Sequence, residues 1–136
     1  MRKITKALVA LFLAAITCMT SVTALASEGP DPRLSHTDSG AFSFAATADG
    51  GYIDVTYYTY DSFVRADLTV KIEKRFLFFW WNEVNTWSAS STEENGQFVN
   101  CLALDGSGTY RASFTLTVTG NDGTVDTIPH VIEDSY

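Results

Sequence analysis

Apolar and polar residues alternate over most of this chain, and the alternation predicts strands. Residues 65–74 show it most clearly. Ala66, Leu68, Val70 and Ile72 fall on one face, while Arg65, Asp67, Thr69, Lys71 and Glu73 fall on the other. A strand with one dry and one wet side reads this way. Residues 109–119 repeat the pattern, with Tyr110, Ala112, Phe114, Leu116 and Val118 inward. Further strands are predicted over residues 41–47, 52–60, 76–90, 97–104 and 124–132, with no stretch of useful helical period. Asp49-Gly50-Gly51, the polar loop 91–96, Asp105-Gly106-Ser107-Gly108 and Gly120-Asn121-Asp122-Gly123 separate them. The last is a hairpin turn, because Gly and Asn tolerate the positive φ that such turns need. Pro129 lacks an N–H, which places the final strand at a sheet edge. About seven strands spaced by roughly 8–12 residues predict an antiparallel β-sandwich; a small β-barrel fits the same pattern nearly as well.

One stretch resists the alternation. Phe76-Leu77-Phe78-Phe79-Trp80-Trp81 has six large apolar residues in a row. Continuing the register of residues 65–74 would put Leu77, Phe79 and Trp81 on the wet face. It would also make a strand of about 60 Å, too long for a domain of this size. A break is therefore expected, with charged Lys74-Arg75 as its place. After that break, one face of residues 76–81 is expected to enter the core. The other face is either covered by a loop or the neighbouring sheet, or left as an exposed aromatic surface. Phe79, Trp81 and Trp87 are the candidate binding patch, for a ligand or for self-association.

The first 26 residues change the compartment. Arg2, Lys3 and Lys6 precede an apolar run over residues 7–19, and Ala24-Leu25-Ala26 supplies a small-x-small cleavage pattern. This is the layout of a secretory signal peptide. A lipid anchor on Cys18 is the alternative, although Thr17 before it fits that poorly. Cleavage after Ala26 of the 136-residue chain leaves 110 residues, the size of one domain with one core. Residues 27–40, rich in Pro, Gly, Ser and Asp, are expected to be a flexible lead-in, with the domain over residues 41–136. Cleavage removes three of the nine basic residues and none of the sixteen acids. The net charge then falls from −7 to −10. Such a surface repels nucleic acid and anionic membranes, and the mature chain is expected to have neither nucleic acid nor a membrane as partner.

Chemistry is sparse. Cys101 is the one cysteine left after cleavage, so no internal disulfide can form. Within Phe98–Leu104 it is expected to be a small buried hydrophobe. His36 lies in the lead-in and His130 follows Pro129 on the edge strand. Neither belongs to a His-x-His pair or a zincin-type motif, so no transition-metal site is expected. A Ser-His-Asp set would have to recruit His130 and Asp126, four residues apart on one strand and too distant to bond directly. Asp54 with Asp67, or Glu93 with Glu94, could be offered as glycosidase carboxylates, but nothing selects them. Asn121-Asp122-Gly123-Thr124 with Asp126 is a fragment of a calcium loop at most; it lacks the alternating acids and the bidentate Glu, and the turn reading explains it.

Two resemblances add to this. Gly108-Thr109-Tyr110-Arg111-Ala112 resembles the start of the sixth strand of immunoglobulin-like domains. The resemblance implies that the Tyr110 hydroxyl bonds back to the preceding corner, and that Ala112 stands where antibody domains carry a cysteine. More broadly, Phe78–Trp81, Gly108–Arg111 and Val118–Thr124 resemble small exported proteins of Gram-positive bacteria that have no assigned function. That likeness covers most of residues 70–126 and implies a bacterial source and a secreted location, but no activity.

The expected protein is thus a secreted, non-catalytic, immunoglobulin-like β-sandwich without a cofactor. Its aromatic patch would bind a protein, a cell-wall glycan or another copy of itself. A secreted antibacterial effector or toxin partner is the alternative, although membrane-active peptides are mostly basic. A small hydrolase ranks third.

Overall fold

The computed structural model describes residues 34–136. The signal peptide, Cys18 and residues 27–33 lie outside the described residues. Seven strands form: β1 (Thr37–Thr47), β2 (Gly50–Thr59), β3 (Phe63–Phe76), β4 (Trp80–Ser91), β5 (Asn95–Leu102), β6 (Thr109–Gly120) and β7 (Val125–Ser135). They build two antiparallel sheets, ordered β1-β2-β5 and β4-β3-β6-β7. No ladder joins the two sheets, so this is a sandwich and not a closed barrel.

The period-two pattern explains the core. From the larger sheet, Ala66, Leu68, Val70 and Ile72 of β3 meet Ala112, Phe114, Leu116 and Val118 of β6. From the smaller sheet come Phe44, Ala46, Ile53, Val55, Tyr57, Phe98 and Leu102. Burying a large aliphatic or aromatic side chain contributes about 1.5–3 kcal/mol, so this double layer carries the stability. As Pro129 requires, β7 runs along a sheet edge, with Pro129 opposite Thr115. The Gly120–Gly123 turn closes β6 onto β7, and Gly123 takes the positive φ of 80°.

Tyr110 is fully buried and its hydroxyl donates to the Gly106 carbonyl, four residues back. The bond ties the β5–β6 loop to the start of β6. Tyr110→Phe is expected to lower unfolding free energy by about 1–2 kcal/mol in urea titration, since it leaves that carbonyl without its partner.

Three expectations are corrected here. The domain does not begin at residue 41. His36 and Thr37 are buried and β1 starts at Thr37, so the described part of the lead-in belongs to the fold. The reason is Asp126, whose carboxylate gathers the backbone of Ser35–Thr37. Cys101 is exposed, not buried. Phe98 and Leu102 take the inward register of β5, which turns Cys101 outward beside the Asp49 carbonyl, 3.8 Å from its sulfur. Lastly, β3 does not break at Lys74-Arg75. It continues to Phe76, and the chain reverses at Leu77-Phe78-Phe79.

Candidate functional site

The apolar run forms the tip of the β3–β4 hairpin. β6 pairs with β3 only as far as Lys74, opposite Tyr110. Beyond that point Arg75 pairs with Trp81 and Phe76 with Trp80, so the hairpin projects on two strands alone. The expectation that one face of residues 76–81 enters the core is therefore wrong. Phe78 is 91% exposed, Phe79 71% and Leu77 64%, and Phe76 and Trp80 are more than half exposed. A projecting two-stranded ribbon has no sheet behind it, so neither of its faces can be covered at the end.

Leu77 adopts φ 56°, the left-handed region that glycine occupies without cost. A large apolar residue thus stands where Gly or Asn would be easier. Such strain in the backbone is a pointer to function. Leu77→Gly is expected to leave stability unchanged or raise it by up to about 1 kcal/mol in urea unfolding. A marked loss would show that the Leu77 side chain is needed for folding.

Behind the tip, Trp81 is held on the outer face. The Arg111 guanidinium lies over its ring at 4.3 Å and that of Arg75 at 5.0 Å. Arg111 donates from Nε (3.2 Å) and Nη2 (2.7 Å) to one carboxylate oxygen of Glu73, and Arg75 pairs with Glu133 at 3.1 Å. These contacts anchor the base of the projecting ribbon. Phe79 and Trp80 meet edge to face, with ring centroids 5.8 Å apart and planes at 81°. Beside the hairpin runs an open groove of about 390 Å³, lined by Lys74, Phe76, Asn82, Glu83, Val84 and Asp105 among others.

The three candidate patch residues do not share a surface. Phe79 is at the tip and Trp81 is on the outer face among arginines, while Trp87 packs against the core opposite Val70. The cause is a bulge. Ile72 faces Asn85 but Glu73 faces Glu83, which leaves Val84 as the extra residue and switches the face of residues 80–83 relative to 85–91. The surface that does form comprises Phe76, Leu77, Phe78, Phe79 and Trp80.

A second cluster, unforeseen in the sequence, lies at the opposite end of β3. His36 is 3% exposed. Its Nδ1 stands 2.7 Å from Ser62 Oγ, and its Nε2 stands 2.5 Å from Thr124 Oγ1 and 3.2 Å from Asp122 Oδ1. Thr124 Oγ1 donates to Asp122 Oδ1 at 2.7 Å. One assignment satisfies every partner: Ser62 donates to Nδ1, Nε2–H donates to Thr124, and Thr124 donates to Asp122. Hydrogen bonds from the Thr124 hydroxyl and N–H hold the Asp122 carboxyl below its ordinary pKa. Gly120 flanks the ring so closely that a Cβ there would stand 2.1 Å from it.

Ser, His and Asp together suggest nucleophilic catalysis, but the geometry describes a pin. Both ring nitrogens are engaged, the ring is sealed against Gly120, and the cluster ties the start of β1 to the β2–β3 loop and the β6–β7 turn. The triad weighed from sequence is not assembled either. The Asp126 carboxylate accepts from the backbone of residues 35–37, and His130 stacks on Phe42 at 4.9 Å with planes at 19°. Asp122 and Asp126 face protein donors, and among the described residues no three His, Cys, Asp or Glu side chains converge as metal ligands.

Compared with protein-family models, curated proteins and solved structures, the chain finds no match, so its function is argued from its own residues.

Proposed function

We propose that this is an exported, non-catalytic β-sandwich that docks on its partner through the β3–β4 hairpin tip. The observation that carries the reading is the exposure of Leu77, Phe78 and Phe79 together at the end of a projecting ribbon. Contiguous exposed apolar surface of this kind marks an interaction site. Export is supported by the basic start, the apolar run and the Ala24-Leu25-Ala26 pattern. The likeness to small exported proteins of Gram-positive bacteria points to a bacterial source. An immunoglobulin-like relationship draws support from the Tyr110 hydroxyl bonded to Gly106 and from two facing antiparallel sheets of three and four strands. A hydrolase reading loses its best constellation, because His36 is sealed into the fold.

The test uses residues 27–136, which hold every strand of the described residues and omit the apolar segment 7–19. The chain and its Leu77→Asp/Phe78→Asp variant are compared for sedimentation with cell-wall glycan, flotation with phospholipid vesicles, and self-association over a concentration series. Asp accepts left-handed backbone better than Leu, and both side chains are exposed, so the unfolding free energy in urea is expected to stay within about 0.5 kcal/mol of the parent's. The expected result is binding in at least one assay by the parent chain, lost in the variant. Equal behaviour of the two chains in all three would overturn the reading.

A further inference from the structure

We propose that the hairpin tip inserts into the interfacial layer of a zwitterionic phospholipid bilayer. This inference rests on the docking reading above and names its partner. Shape is the first argument. The ribbon extends past Lys74, the last β3 residue paired to β6. Two further strand residues and the turn, at about 3.3 Å each, reach roughly 7–10 Å. That matches the roughly 5–10 Å to which interfacial apolar groups sink below the headgroups.

The order of residues along the ribbon is the second argument. Leu77, Phe78 and Phe79 are outermost, Phe76 and Trp80 come next, and Arg75, Trp81 and Lys74 lie behind. A bilayer interface presents the same sequence of environments: hydrocarbon, then a zone where indoles settle, then headgroups within reach of Arg and Lys.

The rival occupants fit less well. A sugar stacks on a flat aromatic face, yet the Phe79 and Trp80 rings stand at 81°, and two guanidiniums overlie Trp81. A second copy seating its tip in the groove beside the hairpin would meet Phe76 and Val84, but also Lys74, Arg75, Asn82, Glu83 and Asp105. Burying Phe78 against such groups would strip them of water.

Net charge fixes the lipid class. The acidic surface disfavours anionic membranes, which was the ground for expecting no membrane partner. Near the tip, however, the carboxylates are set back. Glu83 lies opposite Glu73, and Glu133 is already paired with Arg75. A neutral bilayer meets the apolar end without meeting that charge.

Flotation of residues 27–136 with phosphatidylcholine vesicles tests the inference. The parent chain is expected to float, in a manner insensitive to salt, and brominated acyl chains are expected to quench its tryptophan emission. The Leu77→Asp/Phe78→Asp variant is expected to partition about tenfold less or weaker still, with its urea midpoint kept. A parent chain that stays with the protein fraction overturns the inference, as does equal flotation of both chains. If flotation fails while glycan sedimentation or self-association is seen and is lost in the variant, the partner is wrong and the docking reading survives. If none of the three assays separates the chains, both fall together.

Discussion

Asp126→Ala is expected to lower the unfolding free energy by about 3–5 kcal/mol in urea denaturation at neutral pH. The Asp126 carboxylate is 6% exposed and accepts four hydrogen bonds. They come from the N–H groups of Ser35 (3.0 Å), His36 (2.7 Å) and Thr37 (2.9 Å), and from the Thr37 hydroxyl (3.1 Å). Alanine leaves those donors facing a small void, and the start of β1 loses its anchor on β7. Asn keeps one acceptor and is expected to cost less, about 2 kcal/mol. Acid pH gives a second readout. Burial pushes the Asp126 carboxyl upward, but the bonds from Ser35, His36 and Thr37 outweigh it and leave the pKa below the ordinary 3.8. A folded value below the unfolded one means that the stabilisation is complete above the unfolded value and is lost as pH falls through the folded value. Asp122 has the same sign, and so does Asp67, held down chiefly by its bond from Arg65. Stability of the parent chain is therefore expected to fall below about pH 4, and Asp126→Asn to flatten that fall. An unchanged acid slope in the Asn variant would count against the clamp.

Gly120→Ala is the second large effect, expected at about 3 kcal/mol. A Cβ at that position would stand 2.1 Å from His36 Cε1, 2.3 Å from Nε2 and 2.5 Å from Nδ1. No rotamer change relieves the contact, because both nitrogens are pinned by Ser62 and Thr124. The cost belongs to the pair, so Gly120→Ala is expected to be nearly neutral in a His36→Ala background. Unfolding of the two single variants and the double variant measures this. Additive costs would mean that the ring does not press on Gly120.

The parts legible in the sequence are those governed by local alternation. β3 and β6 were evident because each has a dry face and a wet face, and their inward residues are buried; Glu73 of the wet face is buried as well, beneath the Arg111 guanidinium that bonds it. Pro129 marked the edge and the Gly120–Gly123 turn its hairpin, since both rest on backbone chemistry that one or two residues decide. The tip was misplaced for a physical reason. Charge at Lys74-Arg75 resembles a turn, whereas Leu77-Phe78-Phe79 carries no turn residue and reverses the chain with Leu77 in a left-handed conformation. The Val84 bulge was equally silent, and one extra residue sufficed to part Trp87 from Trp81. The His36 pin joins positions 36, 62, 122 and 124, which no local pattern connects. One signal did exist. Asp126 shares its register with Ile128, His130 and Ile132, so an inward carboxylate was in view and needed donors from another segment.

The central claim is that the tip stands open to its surroundings. Acrylamide quenching of residues 27–136 carrying Trp81→Phe and Trp87→Phe, at low concentration and free of lipid, tests it directly, because Trp80 is then the only indole. The structure calls for red-shifted emission, quenched nearly as readily as after unfolding in urea. Blue-shifted, protected emission that opens only on unfolding would mean that the apolar run is buried, and the docking surface would not exist.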